Sequence, residues 1–100
     1  MWVLFTAPCP TPDGQTARDL YEKRLTWIDD AMRASAREHG CTFHRAWAAD
    51  GSAFYALAHW RTREGASAFF AEWQIESEPG EVAIVLDGDV GLVPLGGDSA

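Results

Sequence analysis

Residues 41–60 read Cys41-Thr42-Phe43-His44-Arg45-Ala46-Trp47-Ala48-Ala49-Asp50-Gly51-Ser52-Ala53-Phe54-Tyr55-Ala56-Leu57-Ala58-His59-Trp60. Two apolar, aromatic-rich runs, Cys41 to Ala48 and Ala53 to Trp60, flank Ala49-Asp50-Gly51-Ser52, and an Asp-Gly step readily supplies the positive-φ residue of a β-hairpin. Two adjacent antiparallel strands follow. Placing Ala48 opposite Ala53 predicts the pairs Trp47 with Phe54, Arg45 with Ala56, Phe43 with Ala58 and Cys41 with Trp60 on one face, a set suited to packing against helices. The other face then carries Thr42 opposite His59, His44 opposite Leu57 and Ala46 opposite Tyr55. His44 would lie diagonally between His59 and Tyr55, roughly 7 to 8 Å away at Cα. A slip of one residue would put the two histidines on opposite faces.

Outward from the hairpin, Trp2 to Ala7 reads as a strand that ends in the Pro-rich segment Pro8 to Gly14. Thr16 and Asp19 resemble a capping box, and the spacing of Tyr21, Leu25, Ile28, Met32 and Ser35 predicts one long helix to His39, ended by Gly40. Beyond the hairpin, Thr62 caps a helix whose Ala66, Phe69, Phe70 and Trp73 share one face. Ser77-Glu78-Pro79-Gly80 stops it. Glu81 to Leu86 is a β-branched strand, Asp87-Gly88-Asp89 a turn, and Val90 to Leu95 a further extended piece. The order βαββαβ over residues 1–100 is that of a single ferredoxin-like α+β sandwich, a four-stranded antiparallel sheet with two helices on one face. A sheet this apolar leaves its second face uncovered, so a homodimer is expected.

Fifteen acidic against eight basic side chains give a net charge of -7 and a pI near 4.7. That balance repels phosphate backbones, and nucleic acid is not an expected partner. No apolar run approaches the roughly 18 to 20 residues that span a bilayer, and the first nine residues lack the basic start of a secretion signal. A cytoplasmic protein without a membrane partner is expected. Cys9 and Cys41 form neither a CxxC pair nor a disulfide framework and read as free thiols. The sequence holds no Gly-rich phosphate loop, nucleophile elbow or dinucleotide fingerprint.

The run Asp50 to Trp60, followed by Arg61-Thr62-Arg63-Glu64-Gly65-Ala66, resembles the hairpin and second-helix start of the dimeric α+β barrel superfamily, which includes antibiotic-biosynthesis monooxygenase-like proteins and several uncharacterised bacterial families. The resemblance implies two sheets facing each other across a homodimer, with a small-molecule cavity between sheet and helices. Haem is a ligand of some relatives. Their polar strand residue and helical histidine have no match among Val3, Phe5, Phe69 and Phe70, so haem is not expected here.

The candidate catalytic groups are His44, His59 and Tyr55: an imidazole as general base or acid near neutral pH, and a phenol that orients or protonates the substrate. Thr42, Phe69, Phe70, Trp73 and Arg45 are the candidate substrate contacts, Arg45 being placed on the opposite face. Two readings of the histidines stay open: proton transfer, or polar side chains satisfied by backbone, Thr42, water or a partner subunit. No metal is expected, because no carboxylate stands at ligand spacing from the two histidines. His39 reads as a helix C-terminal group, and Asp29-Asp30 cannot form a dyad because adjacent helical residues diverge. The catalytic version needs no cofactor. In it, a histidine takes a proton from an acidic C–H or O–H of an aromatic or polyketide-like metabolite, and the product anion reacts with dioxygen, cyclises or isomerises. The alternative is a non-catalytic ligand-binding or protein-interaction module.

Overall fold

A computed structural model describes residues 1–49 and 52–86. The Asp50-Gly51 step, the turn at Asp87-Gly88-Asp89 and the extended piece at Val90 to Leu95 lie outside the described residues. The elements are β1 (Trp2–Pro8), α1 (Ala17–Trp27), α2 (Asp30–Glu38), β2 (Cys41–Ala49), β3 (Ala53–Trp60), α3 (Arg63–Glu72) and β4 (Val82–Leu86). The four strands form one sheet in the order β2-β3-β1-β4, with every neighbouring pair antiparallel. The chain is therefore α+β, as the sequence predicts. Among the described residues no helix is long and apolar enough to cross a membrane.

The single helix predicted from Thr16 to His39 is two helices, so the element order is β-α-α-β-β-α-β and not βαββαβ. Its start is as read: Thr16 accepts from the Asp19 N–H at 3.0 Å while Asp19 accepts from the Thr16 N–H at 2.9 Å. The break comes at Ile28-Asp29. Asp29 is extended and its carboxylate accepts from the Met32 N–H at 2.9 Å, so a residue inside the predicted long helix is instead the N-cap of α2. Arg33 meets Asp30. α3 begins as predicted, with the Thr62 hydroxyl accepting from Gly65.

The hairpin register also differs. Ala49, not Ala48, pairs with Ala53, and the shift persists through Ala48 with Phe54, Trp47 with Tyr55, Ala46 with Ala56, Arg45 with Leu57, His44 with Ala58 and Phe43 with His59. Cys41 still pairs with Trp60, because the register shifts between Cys41 and Phe43, where Thr42 is the extra residue. The face assignment of β3 holds, and that of β2 reverses from Phe43 onward.

Every helix lies on one side of the sheet. Ala7, Phe54 and Ala56 pack with Ala17 and Leu20 of α1, while Ala58 and Trp60 pack with Met32 of α2 and with Ala66 and Phe69 of α3. Phe5 touches both groups. The other sheet face carries Trp2, Leu4, Phe43, Trp47, Tyr55, Leu57 and His59 together with Val82, Ile84 and Leu86, and several of these apolar side chains are exposed. If Asp29 caps α2, Asp29→Ala should lower stability by about 1 kcal/mol, seen as an earlier urea midpoint with an unchanged slope. An unaltered midpoint would show that the cap carries no such weight.

Candidate functional site

A cleft of about 650 Å³ lies between the helices and the sheet. Its origin is in the side-chain sizes: Ala46, Ala56 and Ala58 line the sheet side and Ala36 the α2 side, so no large side chain fills the gap that Phe5 spans between the two core groups. Aromatic rings close the rest. Phe5 meets Phe70 edge-on at 6.2 Å between centroids, and Trp60 meets Phe69 at 5.3 Å and Phe70 at 5.9 Å. Trp27, Arg24, Arg33 and Arg37 border the opening from α1 and α2.

The register decides which histidine reaches this space. His44 shares a face with Ala46 and Ala58 and borders the cleft, and it makes no hydrogen bond among the described residues. His44 is exposed at the rim of the cleft; partial desolvation there, then the charges of Arg24 and Arg33, push its imidazole below the ordinary value. The shift favours the uncharged imidazole, and neither ring nitrogen has a hydrogen-bond partner among the described residues.

His59 is on the other face. Its Nε2 accepts from the Met1 amine at 3.2 Å, its Nδ1 meets the Thr42 hydroxyl, and its ring lies 4.8 Å from that of Trp2. Desolvation, then the positive charges of the Met1 amine and Arg61, also lower its pKa. Both nitrogens are occupied. Tyr55 stands opposite Trp47 on the same outer face and is exposed. The predicted patch of His44, His59 and Tyr55 is thus divided by the sheet, because one added residue in a strand moves every later side chain to the other side.

Of the predicted contact residues, Phe69 and Phe70 border the cleft; Thr42 and Arg45 stand at its β2 edge, although the Thr42 hydroxyl meets His59 and Arg45 holds an outer-face position. Trp73 does not border it: its indole N–H donates to Ser35 at 2.8 Å, and Ser35 donates to Glu72 at 2.8 Å. Sequence reasoning missed Arg24, Arg33, Arg37 and Trp60. The signal was present in Arg33 and Arg37, spaced four apart on a helix, and in the alanines alternating along both hairpin strands.

The segment after α3 is held against α1 by a cluster of charges. Glu78 accepts from Lys23 at 3.0 and 3.1 Å, from Gln15 at 3.2 Å and from Arg24 at 3.5 Å, and Glu81 lies 3.9 Å from Arg24. The Arg24 guanidinium also sits over the rings of Trp27, at 4.6 Å, and Phe54, at 5.2 Å. Burial alone would raise the Glu78 pKa, but the hydrogen bonds and charges of Lys23, Gln15 and Arg24 outweigh it and hold the carboxyl below its usual range.

Burial pushes the Cys41 thiol up, which disfavours a reactive thiolate. Among the described residues no cluster of three His, Cys, Asp or Glu side chains is placed to hold a metal ion. No family model matches the chain, and no curated protein matches it.

Two outcomes follow from these shifts. Because the folded-state carboxyl of Glu78 is depressed, its stabilising effect is complete above the ordinary value of 4.5 and fades as pH falls below it. Glu78→Gln should cost about 2 kcal/mol at pH 7, and thermal melts should show wild type losing stability more steeply than the variant as the solution is acidified. Parallel curves would refute the role of Glu78. For His44, NMR titration should place the imidazole midpoint below 6.5, with the neutral form stable above it and protonation disfavoured in the folded chain.

Proposed function

We propose that the protein binds a small aromatic molecule in the cleft between sheet and helices and that His44 exchanges a proton with it. The observation that carries this reading is the position of His44, which borders a cleft with an aromatic lining and has no hydrogen-bond partner among the described residues; its lowered pKa favours the neutral base. Its volume falls in the usual range of small-molecule sites, and an apolar lining with few polar groups is the common pattern of such sites. His44 removes the proton from an acidic C–H or O–H and leaves an enolate or phenolate, a step that needs no cofactor. That step is shared by the oxygenation and the cyclisation or isomerisation that the resemblance to antibiotic-biosynthesis monooxygenase-like proteins implies. His59 and Tyr55, on the outer face, take no part in it.

We further propose that the fold is a ferredoxin-like variant with its first helix broken, and that a second copy covers the outer sheet face as in dimeric α+β barrels. Trp47 is 44%, Val82 53%, Ile84 43% and Leu86 40% exposed, a patch that favours burial against another apolar surface. Light scattering should give twice the chain mass for wild type and a lower mass for Ile84→Lys. A wild-type monomer at micromolar concentration would end the dimer reading without touching the cleft.

The base is tested with 5-nitrobenzisoxazole, whose ring opens when a base removes its C3 proton and the N–O bond breaks to give a cyanophenolate. Wild type should open it faster than the same concentration of free imidazole, His59→Ala should match wild type, and His44→Ala should lose roughly 10²-fold or more in rate. Equal rates in His44→Ala and wild type, or no acceleration by wild type, would overturn the assignment.

A further inference from the structure

The chain has seven arginines and one lysine against fifteen acidic residues, so an even spread would leave no basic region. The cleft is the exception. Arg24, Arg33 and Arg37 border it from α1 and α2, Arg45 stands at its β2 edge in an outer-face position, and Glu76 and Glu81 are the carboxylates among its described lining residues. Arg24 is committed to Glu78 and Glu81. Arg33 and Arg37 are not: they stand four residues apart on α2, hence on one side of that helix, and both border the opening. Arg33 meets Asp30 at 3.5 Å in a solvated i,i+3 pair, a contact that a better acceptor readily displaces, and Arg37 has no ion pair among the described residues.

A second, independent observation is the aromatic lining. Trp60 is 3% exposed and contributes its ring to the same cleft, while its indole N–H is closed to solvent and has no acceptor among the described residues. Of the polar groups at the cleft, Arg33 and Arg37 are the uncommitted cations, both exposed to solvent, and His44 is the uncommitted base. Guanidinium groups pair with planar carboxylates through two parallel hydrogen bonds, and the rings of Phe5, Phe70 and Trp27 suit a flat apolar body.

We infer that the cleft selects a small aromatic carboxylate, with its ring among Phe5, Trp27 and Phe70 and its anionic group on Arg33 and Arg37. This inference rests on the ligand-binding reading of the cleft and narrows it to one charge class. The anionic group then lies on the side of the cleft that α2 forms, and the ring extends toward His44. A net charge of -7 repels anions in general, so a preference for a carboxylate reports on the cleft and not on the molecule as a whole.

The test compares 2-naphthoate with its neutral isostere 2-naphthamide, by tryptophan fluorescence and calorimetry at pH 7.5 and low salt. Wild type should bind 2-naphthoate about tenfold more tightly than the amide, and added salt should shrink that difference. The double variant Arg33→Gln plus Arg37→Gln should bind the two probes equally, whereas Arg18→Gln plus Arg63→Gln, which removes the same charge away from the cleft, should keep the preference. In wild type, 2-naphthoate should also raise the His44 titration midpoint by partly cancelling the Arg33 field. Equal binding of both probes by wild type would overturn the carboxylate inference and leave the cleft reading standing. Binding of neither would overturn both, and a preference that survives in the Arg33, Arg37 variant would overturn the assignment to those arginines.

Discussion

Side chains along a strand alternate with a period of two, and this is the constraint on which the site depends. Thr42 is one residue more than the β2–β3 ladder can pair, and after it each β2 side chain faces the side opposite to that set by the Cys41–Trp60 pair. The consequence is chemical. His44 turns toward the helices and the cleft, while Phe43, Arg45 and Trp47 turn outward beside Tyr55, Leu57 and His59. The two imidazoles then differ: one is bonded through both nitrogens on the outer face, and the other borders the cleft with no hydrogen-bond partner among the described residues.

The cleft itself follows from the balance of small and large residues. Alanines at positions 46, 56 and 58 keep the sheet low where three helices arch over it, and the rings of Phe5, Trp60, Phe69 and Phe70 hold the flanks apart. The volume of this gap lies in the usual range of small-molecule sites, and the proposed binding role draws on that. The Glu78–Arg24–Lys23 cluster supports it from the side by holding the chain between α3 and β4 against α1. Arg24 thereby serves two functions: it anchors that segment and contributes positive charge near His44.

Much of the architecture was legible in the sequence. The hairpin runs, the Thr16–Asp19 capping box, the Thr62 cap and the β-branched run after Gly80 each signal an element through local chemistry, and α+β with an antiparallel sheet follows from their order. The features that escaped depend on single residues whose alternatives are close in energy. Asp29 serves equally well, on paper, as a helical partner of Arg33 or as an N-cap, and only the turn of the chain over the sheet selects the cap. The extra residue at Thr42 has no local signature either, since neither Gly nor Pro marks it and Thr is at home in a strand. For that reason the correct face of β3 was readable and the face of β2 was not. The arginines of α2 were visible as a pair at helical spacing, but their shared role required knowing that α2 faces a gap.

The placement of His44 can be read directly from nuclear Overhauser contacts of its ring protons in a selectively labelled sample. Contacts to Ala58, its cross-strand neighbour on the cleft side, with none to the rings of Tyr55 or His59, are the result expected from the Thr42 register shift. Contacts between the His44 ring and those of Tyr55 and His59 would contradict it, and with it the separation of the two histidines on which the proposed chemistry depends.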